Sequence, residues 1–76
     1  VNIPPRQRAA LSRIRERVFA HLRANRRNGM HPRSLREIAL EHGWARSHLT
    51  MILRGERQNP TILGMLQKFA ARRIPR

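Results

Sequence analysis

Ala10, Leu11, Ile14, Val18 and Leu22 recur at the three- and four-residue intervals that lay one apolar stripe along a helix. This pattern predicts one long helix from about Arg6 to Arg27, with Arg13, Arg17, Arg23 and Arg27 largely on its other side. Val1 to Pro5 form an extended lead, and Pro4-Pro5 can start the helix. Asn28-Gly29 ends it by supplying a residue that tolerates the left-handed conformation. Met30 to Arg33 is then a connector, because Pro32 blocks helix until Ser34.

The spacing predicts a second helix over about Ser34 to His42 and a third over about Arg46 to Arg54. Ser34 can cap the second, with Glu37 three residues on completing a capping box. Leu35, Ile38 and Ala39 form its apolar face, and Gly43 suits a turn at positive φ. Leu49, Ile52 and Leu53 recur so that the third helix packs on the second. Gly55 to Asn59 reads as a loop, Asn59 caps and Pro60 starts a fourth helix, and Ile62, Leu63, Leu66 and Phe69 face its core. Ile74-Pro75-Arg76 reads as a frayed end. The expectation is a single all-α domain over residues 1–76, a compact bundle of about four helices, with no repeat and no second domain.

Residues 34–55, two short helices about a turn glycine, resemble the helix-turn-helix of the phage-repressor family, the Cro-type or xenobiotic-response-element-type regulators. The resemblance runs from Ser34 to Phe69, roughly half the chain, and includes Gly55 and Asn59-Pro60 at family-like spacing. Leu35 stands where that family often carries a phosphate-contacting glutamine, His42 at a usually aliphatic position, and Ala45 where a capping Ser or Thr is common. The resemblance implies a lambda-repressor-like fold, double-stranded DNA as partner and a cytoplasmic setting in a bacterium or phage. Larger relatives dimerise through a fifth helix. This chain ends after the fourth, so a homodimer on a two-fold-related operator is expected to use the first helix, the fourth helix or the Ile74 tail. Phe19, at the flank of the apolar stripe, reads either as such a contact or as a peripheral core residue.

Charge agrees independently. Lys+Arg number 17 against 4 acidic residues, for a formal charge of +13, and all but Lys68 of the basic residues are arginine. Such a field attracts polyanions. The planar guanidinium favours phosphate and guanine edges through paired hydrogen bonds.

The N-terminal part of the second motif helix is the part that faces base edges. Arg46, Ser47, Thr50, Met51 and Arg54 are therefore the candidate base contacts. Arg46 suits guanine or, alternatively, a phosphate. Thr50 or Met51 suits a thymine methyl, and Ser47 either a base or the helix N-terminus. Arg33, Ser34, Arg36, His48 and Arg57 are candidate phosphate contacts, together with the amides that open the second and third helices. Arg6/Arg8 and Arg72/Arg73/Arg76 form basic ends, read as DNA-binding arms or as solvated tails. Trp44 is expected to pack between the second and third helices.

Catalysis finds little support. Asp, Cys and Tyr are missing, and Glu16, Glu37, Glu41 and Glu56 are scattered over separate segments. The zero cysteine count excludes disulfides and thiolate metal sites. His42 and His48 flank the turn without a further ligand, so no metal, cofactor or small-molecule ligand is expected. No apolar run is long enough to span a membrane or to form a signal-peptide core. The chain opens on Val1, as a trimmed or shifted start would give. Two other readings stand beside the regulator: an architectural protein of nucleoid or phage that coats DNA with little preference, and an RNA-binding or protein-docking module working through the basic first helix.

Overall fold

Pro4 and Pro5 set where the first helix begins. In the computed structural model, which describes residues 3–74, Pro5 is already the first helical residue, so the extended lead is shorter than the sequence suggests. Proline there forfeits no intrahelical bond. The expectations on Val1, Asn2, Pro75 and Arg76 fall outside the described residues. Four helices follow in order: α1 (Pro5–Asn28), α2 (Leu35–His42), α3 (Arg46–Arg54) and α4 (Pro60–Ala71), with no strand among the described residues. None of these helices is long and apolar enough to cross a membrane.

Each junction has a local cause. The Ser34 side chain accepts from the Glu37 N–H at 3.3 Å and caps α2. The expected return half of the capping box does not form. Glu37 Oε1 instead meets Nδ1 of His31 at 2.6 Å, drawing the carboxylate toward the connector. Gly43 ends α2 at φ 73°, and the Trp44 N–H closes onto the Ala39 carbonyl at 2.8 Å. Asn59 caps α4 by accepting from the Ile62 N–H at 3.1 Å. The His31–Pro32 peptide bond in the connector is cis.

α3 is the central element, packed against all three other helices, while α2 closes only on α3. Leu49, Ile52 and Leu53 of α3 are buried against Val18 and Leu22 of α1, Leu35, Ile38 and Ala39 of α2, and Ile62, Leu66 and Phe69 of α4. The long dimension of the molecule, 38 Å, matches 24 helical residues of α1 at 1.5 Å each.

The stripe on α1 divides. Val18 and Leu22 are core residues, whereas Ala10, Leu11 and Ile14 are half-buried and line an open apolar groove beside Gly55 and Leu63. Leu63 is likewise only half-buried. Two polar residues take the places at the other end. His21 and Asn25 are 2% and 5% exposed, each bonded to a backbone carbonyl: His21 Nε2 lies 3.3 Å from the Ala70 oxygen, and Asn25 Nδ2 donates to Pro32 at 2.8 Å. Arg17 does not simply face solvent, since its Nε also donates to the Ala70 carbonyl at 3.1 Å. These bonds tie α1 to the end of α4 and to the connector.

Phe19 is 40% exposed and lies outside the core cluster, which overturns its reading as a core residue. Trp44 packs partly on the core and stacks on His42, ring centroids 4.6 Å apart, so its burial between α2 and α3 is incomplete.

Candidate nucleic-acid interface

Arg46, Thr50 and Arg54 stand four residues apart on α3 and share one edge of that helix. They form one wall of an open groove of about 580 Å³. Ser34 and Arg36, at the start of α2, close one part of it. Arg15, Phe19 and Arg26 of α1 form the opposite wall, and the buried side chains of Leu22, Leu35 and Leu53 line the base. Five guanidiniums therefore border one groove with no carboxylate among its lining residues.

The electrostatics are one-sided throughout. Among the described residues the only ion pair joins His31 and Glu37, and no arginine is paired with a glutamate. The His31 hydrogen bond holds the Glu37 carboxyl below its ordinary range, assisted by the Arg33 backbone N–H and by the charges of His31 and Arg33, against a smaller opposing effect of desolvation. Apart from that of Arg26, which gives Nη1 to the Arg33 carbonyl, the groove guanidiniums donate to no other described residue, so their donors are open to an external acceptor.

The start of α3 is open. Ala45 occupies its N-cap with φ −85° and ψ 139°, and no side chain caps the helix. Ser47 is exposed and makes no capping bond, which removes its reading as a substitute cap. The uncapped amides and the positive end of the helix dipole thus face outward beside Arg46. Thr50 Oγ1 donates to the Arg46 carbonyl at 3.2 Å, so its hydroxyl proton is engaged within the helix. Its methyl and its oxygen lone pairs remain for a partner.

Of the residues singled out from sequence, Ser34, Arg36, Arg46, Thr50 and Arg54 come together at this groove. Ser47, Met51 and His48 belong to other sides of α3 and do not line it; Met51 and His48 are half-buried. Arg33 lies nearby in the connector, with its carbonyl held by Nη1 of Arg26 at 3.3 Å. Arg57 lies in the other groove, beside Ile3, Leu11 and Asn59. At the ends, Arg6 and Arg8 are exposed within the first turns of α1. Arg72 is exposed just past the end of α4, with its guanidinium 5.9 Å from the centroid of the Phe69 ring.

Arg15 and Arg26 are not among the residues the sequence points to, and Phe19 is expected at a dimer surface or the core edge, not beside α3. Their signal is the spacing Arg15, Phe19, Leu22, Arg26, a row along one side of a helix that borders the core stripe. No group of three or more His, Glu, Asp or Cys residues able to hold a metal ion occurs among the described residues. No family model, curated protein or solved structure matches the chain.

Proposed function

We propose that this protein is a sequence-specific double-stranded DNA-binding regulator of the phage-repressor type, with α2, the turn at Gly43 and α3 acting as a helix-turn-helix. The supporting observation is the carboxylate-free arginine groove that joins one edge of α3 to the start of α2. α3 enters the major groove by its uncapped N-terminal end. Arg46 pairs with a guanine edge, Arg54 reaches a base or phosphate, and Thr50 meets a thymine methyl or accepts from a base amino group. Ser47 and Met51 contact neighbouring edges from the outward side of α3. Arg36 and the start of α2 at Ser34 hold a phosphate, with Arg33, His48 and Arg57 as further anchors on the flanks.

Arginine-driven release of counterions supplies most of the affinity, and α3 supplies discrimination. Two copies bind a two-fold-related operator in the cytoplasm of a bacterium or phage-infected cell, and occupancy blocks polymerase. The architectural reading draws on the same unpaired charge and leaves the α2–α3 geometry without a task.

Selection from a random duplex library at about 0.15 M salt tests the proposal, because non-specific attraction is damped there. A compact enriched motif, with half-sites about one helical turn apart, is the expected result. Binding without enrichment replaces the regulator with an architectural protein, and preference for structured RNA replaces it with the RNA-binding module.

A further inference from the structure

The arginines on α1 are arranged as a track. Arg15, Phe19 and Arg26 lie along one side of the helix, with buried Leu22 between the last two setting that side against the core. Eleven residues separate the two arginines, so their backbone positions are about 16 Å apart along the axis at 1.5 Å per residue. That is too far for both to converge on one phosphate and too open for an enclosed small-molecule pocket, which is mostly apolar and buries its ligand. It suits a polymer that carries a charge every 3.4 Å of its rise. Between the arginines stands an exposed aromatic ring, which offers an apolar surface of the kind a deoxyribose can rest on. The opposite wall carries Arg46 and Arg54, so a strand lying in the groove meets guanidiniums on both sides and no carboxylate.

We infer that α1 is a second DNA-contacting element, whose Arg15–Phe19–Arg26 face holds the sugar–phosphate strand bordering the major groove that receives α3. The inference rests on the duplex-binding reading and extends the footprint beyond α2 and α3. It also gives Phe19 a place against the nucleic acid instead of against a second protein copy.

The test is the salt dependence of binding to a random-sequence duplex. Arg15→Gln is the clean variant, since Arg15 has no hydrogen-bond or ion-pair partner among the described residues. It should flatten the slope of log K against log salt by about 0.9, the effect of one lost phosphate contact. Arg15→Gln/Arg26→Gln should flatten it by nearly twice as much and weaken binding on the order of tenfold at 0.15 M salt. Because Arg26 also holds the Arg33 carbonyl, circular dichroism checks that the double variant stays folded. The charge-matched control is Arg23→Gln/Arg27→Gln, at the far edge of α1 beside Ile74, and it should change the slope clearly less. Equal slopes for the two double variants, or an unchanged slope for Arg15→Gln, overturn the inference. Wild-type protein that ignores duplex at every salt concentration overturns the DNA reading itself, a result visible before any variant is compared.

Discussion

His21 Nε2 and the Ala70 carbonyl oxygen, 49 residues apart in the chain, lie 3.3 Å apart in the interior. A carbonyl only accepts, so the imidazole carries its proton on Nε2. The ring also packs on Phe69, with centroids 5.0 Å apart and planes tilted by 44°. His21→Ala removes a buried ring and a buried hydrogen bond together. The expected cost is about 2–3 kcal/mol. In a domain of this size that lowers the melting temperature by roughly 10–20 °C. The Ala70 oxygen keeps its bond from Arg17 and is not orphaned. Thermal unfolding followed by circular dichroism reads the result, and a shift of only a degree or two contradicts the packing role.

Gly43 isolates a pure backbone effect. It sits at φ 73°, yet a Cβ built there meets nothing within 4 Å. Gly43→Ala should cost about 1–2 kcal/mol from the left-handed conformation alone. Gly43→Asn should cost less, because its short polar side chain bonds locally and tolerates that region. Equal losses in the two variants show that something other than φ governs the turn.

On the binding side, Arg46→Ala should lose about 1–3 kcal/mol at the selected site and relax one base position. Retention of the full base preference removes Arg46 from direct readout. Arg36→Ala should weaken all sequences alike and flatten the salt slope by about one unit. Arg57→Ala, made on the opposite groove, measures the footprint: the same flattening places a phosphate there, and an unchanged slope confines contact to the arginine-lined side.

The link between Glu37 and His31 predicts a pH response. Hydrogen bonding to His31 depresses the folded-state value of the carboxyl. Its stabilising effect is therefore complete above the unfolded carboxylate value, about pH 4.3, and is lost as pH falls through the lower, folded value. Glu37→Gln should lose that component. Melting temperatures of wild type and variant should converge as pH is lowered from 6 to 3, and a constant gap across that range refutes the link.

Much of this architecture was legible in residue order. Gly43 and Gly55 bracket Leu49, Ile52 and Leu53 so tightly that the limits of α3, Arg46 to Arg54, match the expectation. Residues four apart on one helix must be neighbours, which puts Arg46, Thr50 and Arg54 on one edge. The sequence groups Ser47 and Met51 with them, but these lie off the groove. His21 and Asn25 were not legible as core. A polar side chain on a helix reads as solvated until its acceptor is known, and here the acceptors are carbonyls supplied by distant or irregular backbone. Arg15 and Arg26 escaped for a related reason: which side of α1 meets α3 depends on the rotation of one packed helix against another. Glu37 shows a local rule losing to a nearby rival, with His31 claiming the carboxylate that the capping box needed.

α2 approaches the remaining helices only through α3, whereas α1, α3 and α4 each pack on one another. Local opening of α2 would separate one seam, that of Leu35, Ile38 and Ala39 on α3, whereas opening any other helix would separate at least two. Backbone deuterium uptake should accordingly run fastest in Leu35 to His42 and slowest in the middle of α1. α2 is thus the one helix held by a single seam, and a bound strand lying across Ser34 and Arg36 would give it a second tie.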